Sequence, residues 1–215
     1  MIAQYSKYIL NFKQPSGTSR GVLHTKETWF IILNEKDTIG IGECGLLRGL
    51  SVDDRPDYED KLRWTCENIH LGLDVLYSEL FEFPSIQFGL EMAFLSLQSE
   101  QPFELVPSEF TKGKASIPIN GLIWMGDAAF MKQQIQSKIA EGFKCLKLKI
   151  GAIDFQTELD ILKSIRQQFR ESDIEIRVDA NGAFSTKEAL EKLKRLSDYQ
   201  LHSIEQPIKA KQIQE

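Results

Sequence analysis

Cys145-Leu146-Lys147-Leu148-Lys149-Ile150, then Ile174-Glu175-Ile176-Arg177-Val178-Asp179, then Leu201-His202-Ser203-Ile204-Glu205 place polar residues at every second position among aliphatic ones. Successive side chains of a strand point to opposite faces. Lys147 and Lys149 therefore share a face, as do Glu175, Arg177 and Asp179, and as do Ser203 and Glu205. The stretches between these strands read as helices: 154–170, and a second one capped by Ser185 or Thr186 and running to Leu196. Upstream, 116–122 reads as a strand and 127–141 as a helix closed by Gly142. Strand and helix alternating across short loops predicts a parallel α/β sheet. Its helices cover the aliphatic faces, so the charged faces are predicted to point to a common interior.

Parallel strands are normally apolar on both sides. Lysines, an arginine and carboxylates on the inner face cost desolvation energy, several kcal/mol per unpaired ion as an order of magnitude. That cost is sustained where the charges compensate one another or a bound ion. A (β/α) barrel with its site at the C-terminal mouth allows both. Lys149, Asp179 and Glu205 end three successive strands, separated by 30 and 26 residues, one strand–helix unit each. Two carboxylates at neighbouring strand ends suit one hard divalent cation such as Mg2+. Lysines beside it are placed for proton transfer, and burial together with a second positive charge is expected to draw their pKa toward neutrality.

The N-terminal part follows a different pattern. Residues 2–12, 22–33 and 38–44 read as strands, the second containing Thr28-Trp29-Phe30-Ile31-Ile32-Leu33. Asn34-Glu35-Lys36-Asp37 makes the turn of a hairpin, and the first strand joins it antiparallel. Pro56-Asp57 opens a helical region in which Leu62, Ile69, Leu73 and Leu76 recur at helical spacing. Pro84-Ser85 provides a second N-cap, for an apolar helix reaching about Ser99, and 101–113 is a loop. Strands followed by helices indicate an α+β domain over 1–113, ahead of the α/β domain over 114–215.

With 26 basic and 31 acidic residues, the net charge of −5 leaves no footprint for nucleic acid. No run of eighteen apolar residues is present, so no membrane span is expected, and residues 1–8 lack the apolar block of a secretory signal. Cys44, Cys66 and Cys145 form no CxxC pair, which argues against a disulfide framework or zinc site and fits a reducing, cytoplasmic setting. His24, His70 and His202 show no ligand spacing. Cys145 reads as buried and inert, His202 as a packing residue, and Trp29, Trp64 and Trp124 as packing residues. Lys187, Lys192, Lys194 and Arg195 read as a solvated helix face.

Three motifs carry a resemblance: Lys147-Leu148-Lys149, Arg177-Val178-Asp179-Ala180-Asn181-Gly182, and Ile204-Glu205-Gln206-Pro207. In this order, behind the N-terminal α+β block, they resemble the enolase superfamily, muconate-cycloisomerase-like subgroup. Ser116-Ile117-Pro118-Ile119-Asn120-Gly121-Leu122-Ile123-Trp124 and Gly40-Ile41-Gly42-Glu43-Cys44-Gly45 are most similar to the o-succinylbenzoate synthases of menaquinone biosynthesis. The resemblance implies an α+β capping domain followed by a (β/α) barrel, and a lyase. The reaction implied is a Mg2+-dependent syn dehydration of a succinyl-hydroxycyclohexadiene carboxylate. Lys149 would be the base and Lys147 a positive charge beside the developing anion. Asp179 and Glu205 would bind Mg2+, and Arg177 and Asn181 would be substrate-binding. Loops near 17–20 and 47–51 would close over the barrel mouth. A racemase, dipeptide epimerase or cycloisomerase on the same scaffold is the alternative, because the paired lysines serve two-sided proton transfer equally well; an inactive fragment is another. A small carboxylate is the implied partner, and a homo-oligomer is compatible with the sequence. The pattern also implies a third acidic ligand near ~230 and a second lysine near ~255 in an eight-unit barrel. The 215 residues are thus expected to hold about half a barrel, as a fragment or a truncated gene product.

Overall fold

The structure, a computed structural model, describes residues 1–18 and 21–212. Two compact units are present, Met1–Ser116 and Ile117–Glu215. Each has its own hydrophobic core, with no residue in common.

The first unit begins with three antiparallel strands in the order β1 (Ile2–Thr18), β2 (Gly21–Glu35), β3 (Thr38–Cys44). Both β1 and β2 extend beyond the expected 2–12 and 22–33, because pairing continues to Thr18↔Gly21 past an irregularity between Asn11 and Ser16. Gly17, expected in a mobile loop, is paired with Val22 in this extension, while 19–20 lie outside the described residues. Alternate residues of β2, Trp29, Ile31 and Leu33, are buried, as the period of two requires. Lys36 (φ 53°) makes the left-handed turn between β2 and β3, with Glu35 opposite Thr38.

The single helical run expected after Pro56 is instead broken. α1 (Tyr58–Glu67) and α2 (Leu73–Glu79) are separated by a short 3-10 turn over Ile69–Leu71, and Gly72 at φ 80° turns the chain between them. α3 (Pro84–Gln98) has Phe83, not Ser85, as its N-cap. The free donors of its first turn are met from a distance: Asp53 accepts from Ser85 N at 2.8 Å and from Ser85 Oγ at 2.6 Å. α3 lies directly on β3. A Cβ on Gly42 would stand 1.7 Å from Gly89 O, and one on Gly40 2.2 Å from Ala93 O.

In the second unit four parallel strands run in chain order: β4 (Gly121–Ile123), β5 (Cys145–Lys149), β6 (Glu175–Asp179) and β7 (Ser203–Glu205). Helices α4 (Ala128–Ala140), α5 (Phe155–Gln168) and α6 (Thr186–Ser197) connect them. Four strands are half the number a closed eight-stranded barrel requires. β4 is shorter than the expected 116–122. Pro118 has no N–H to give a ladder, and Ile117 and Ile119 are exposed. Leu146, Leu148, Ile176 and Val178 are at most 1% exposed and pack with Met131, Leu159, Leu162 and Leu196 from the helices. Asp127 and Asp154 cap α4 and α5, accepting from Phe130 N and Thr157 N. No helix among the described residues is long and apolar enough to cross a membrane.

Candidate functional site

Parallel register sets the site. Lys149 of β5 lies beside Asp179 of β6, which lies beside Glu205 of β7, forming one row at the C-terminal ends of the strands. One pleat below, Lys147 lies beside Arg177, which lies beside Ser203. With the aliphatic residues committed to the helices, these side chains occupy the opposite face, as the alternation requires.

Asp179 is the centre. Its carboxylate is 1% exposed and accepts from Lys149 Nζ at 2.5 Å, with Lys147 Nζ at 3.5 Å. Lys147 also donates to Glu205, whose side chain is 59% exposed. Asn181, in the left-handed region at φ 47°, brings its side chain back over the row. Its Oδ1 accepts from Lys149 Nζ at 3.2 Å, and its backbone N–H donates to Asp179 Oδ1 at 2.9 Å. The turns beyond the strands are laced together: Ile150 N donates to Asp179 O, Ala180 N to Glu205 O, Gly182 N to Gln206 O. The sequence-derived Lys147, Lys149, Asp179, Asn181 and Glu205 thus fall in one cluster. Arg177 lies on the same face but directs its guanidinium to Glu175, at 2.6 Å.

Burial raises the Asp179 pKa, but hydrogen bonds from Lys149 and the Asn181 N–H, with the charges of Lys149 and Lys147, outweigh it and hold the carboxyl below its usual range. Lys147 runs against expectation. Its pKa is raised, chiefly by the hydrogen bond to Glu205, because the nearest charges are carboxylates and not the second ammonium.

Asp179 and Glu205 offer hard carboxylate oxygens on adjacent strand ends. Mg2+ commonly takes one or two protein carboxylates and fills its remaining positions with water and substrate oxygens. This donor set fits that pattern, and both carboxylates already have cationic partners in the lysines. Among the described residues no group of three or more acidic, histidine or cysteine side chains gathers as a metal cage.

Several minor readings change. Cys145 is half-buried and donates to Glu175 Oε1 at 3.3 Å. His202 is exposed and bonds the neighbouring Ser203 hydroxyl. Trp29 is core, but Trp124 is 42% exposed. Lys192 is not merely solvated, since its ammonium sits 4.8 Å from the Phe184 ring and 5.3 Å from that of Phe155. One residue escaped the reading altogether. Glu158 is buried on α5, and its spacing to Leu162 and Ile165 already placed it on the apolar face.

Comparison with known proteins gives this geometry a context. The family described as "Enolase C-terminal domain-like" matches residues 130–215. An o-succinylbenzoate synthase of Desulfotalea psychrophila is 42% identical over 99% of this chain and 66% of its own length. The chain belongs to the enolase superfamily. Among solved structures, the crystal structure of MenC from Desulfotalea psychrophila superposes with a TM-score of 0.80 at 39% identity, over 97% of this chain and 64% of that one. An o-succinylbenzoate synthase from Thermosynechococcus elongatus, complexed with magnesium in its active site, gives 0.76 at 19% identity, over 100% and 63%, a likeness of fold. The chain thus spans 66% or less of the length of these relatives.

Proposed function

We propose that this chain carries the strand-borne part of an o-succinylbenzoate synthase site: Mg2+-dependent syn dehydration of a succinyl-hydroxycyclohexadiene carboxylate, in the menaquinone pathway and in the cytoplasm. The observation that carries the reading is the row Lys149–Asp179–Glu205, with Lys147 bridging both carboxylates from below. The 42% identity to a synthase over nearly the whole chain supports the substrate choice.

Asp179 and Glu205 would hold the metal. When bound, Mg2+ supplies Lewis-acid charge that favours the substrate carboxylate as its α-proton becomes acidic. Lys149 takes that proton at Nζ and returns one to the departing hydroxyl, since one base on one face suffices for a syn elimination. To act as a base it must first give up a proton and leave Asp179, and the Asn181 side-chain oxygen is the second acceptor that keeps the neutral Nζ aimed along the row. Lys147, held cationic by Glu205, contributes a fixed positive charge where the anion develops. Arg177 is a candidate for the succinyl carboxylate once released from Glu175.

The test is direct. Purified full-length protein that carries these residues, given Mg2+ and the cyclohexadiene substrate, is expected to consume the diene absorbance and release o-succinylbenzoate. Epimerisation of a dipeptide with no loss of the diene would transfer the site to the epimerase reading, which the lysine pair also permits.

A further inference from the structure

Glu158 is 2% exposed, on the helix face that packs against the sheet. It does not cap its own helix, a task Asp154 performs. Its carboxylate turns back instead to the segment that follows β5. Oε1 accepts from Gly151 N at 2.6 Å, and the N–H groups of Ala152 and Ile153 also favour its charge. Oε2 is buried without a hydrogen-bond partner in the protein. Burial pushes its pKa up despite these donors and the nearby Lys192. A charge in such a place is costly, and an apolar residue would fill α5 more cheaply.

What the carboxylate grips explains why the position matters. Gly151 adopts φ +92°, and a Cβ there would stand 2.4 Å from Ala183 Cβ and 3.4 Å from Ala180 O. The 151–153 turn is therefore wedged against the 180–183 turn. The latter contains Asn181, which contacts both Lys149 and Asp179. The residue before Gly151, Ile150, donates to Asp179 O at 2.9 Å. One carboxylate thus braces the turn after β5 from behind, and that turn packs on the turn after β6.

We propose that Glu158 is a positioning residue: by holding the 151–153 turn against the 180–183 turn, it sets Lys149 and Asn181 relative to Asp179. As a statement about turnover this rests on the dehydratase reading above. As a statement about geometry it stands alone.

The experiment is Glu158→Gln, which keeps the shape and removes the charge, compared with Leu162→Ala, which opens a cavity one turn further along the same helix. NMR of the 215-residue chain reads the Lys149 Cε resonance and the Asn181 backbone amide. Both are expected to move in Glu158→Gln and to stay within line width in Leu162→Ala, although both variants melt earlier. Shifts confined to 151–158 in Glu158→Gln would overturn the proposal, as would equal displacement of Lys149 by Leu162→Ala. If Glu158→Gln does not fold, Glu158→Asp, which keeps the charge on a shorter arm, carries the same comparison. In the turnover assay kcat is expected to fall about ten- to a hundredfold with KM nearly unchanged, the size typical of a lost supporting contact. Unchanged kcat beside displaced resonances would also reject the role. Epimerisation of a dipeptide with no loss of the diene by the unmodified full-length protein would instead sink the dehydratase reading and leave the NMR result to decide Glu158.

Discussion

Lys149 donates to Asp179 and to Asn181, whereas Lys147 bridges Asp179 and Glu205. Lys149→Ala should lower turnover by about 10²–10⁴-fold, the range of a positioned proton-transfer group, while circular dichroism stays unchanged. Turnover within a factor of two of the parent would remove it as the base. Asp179 makes a separate prediction through pH. Its folded pKa lies below the unfolded one, so the protein binds fewer protons at this site when folded. The stability it contributes is complete above the ordinary carboxylate value and drains away as pH falls through the lowered one. Asp179→Asn should therefore be clearly less stable to urea at pH 7, and the gap should close between about pH 5 and pH 2. A gap that stays constant over that window would mean that the lysine pairing does not set its ionisation. These residues were legible because period-two alternation forces same-face neighbours to share an environment. Glu158 was harder to see, because a single glutamate among aliphatics looks like the polar edge of an amphipathic helix until Gly151 is found at its carboxylate.

Elements were read best where one local rule acted alone. β5 and β6 appear within one residue of their expected limits because alternation and a following turn bound them on both sides. β4 was overdrawn because an apolar run containing Pro118 has strand composition without strand hydrogen bonding. The α1–α2 region was merged because helical spacing of apolar residues survives a short 3-10 turn and a glycine hinge. The contact of α3 with β3 was not readable either, although its cause lies in the sequence: Gly40, Gly42 and Gly89 are small where backbones approach. Gly42→Ala must displace a helix carbonyl from 1.7 Å, whereas Gly45→Ala would meet only Lys26 Nζ at 3.9 Å. Urea denaturation should show Gly42→Ala destabilised by about 1–3 kcal/mol or more, the usual cost of overpacking. Gly45→Ala should lie within about 0.5 kcal/mol of the parent. Equal values for the two would show that α3 shifts freely on the sheet.

At the scale of the molecule, two cores without shared members imply two responses to a ligand that binds only one of them. Asp179 and Glu205 both belong to the second unit, so Mg2+ bound through them, as proposed, would stabilise that unit through its own residues. A ligand at a hundredfold excess over its dissociation constant adds about 2.7 kcal/mol to whatever must unfold to release it. That is roughly a hundredfold slowing of hydrogen exchange for amides that open with the unit. With saturating Mg2+, the amides of Leu146, Leu148, Ile176 and Val178 should slow by this order, while those of Ile31 and Leu33 in the first unit should keep their rates. Asp179→Asn and Glu205→Gln should each abolish the difference. Slowing of equal size in both units would mean that they open as one cooperative body. No slowing in either, with Mg2+ well into the millimolar range, would take the metal away from this pair of carboxylates.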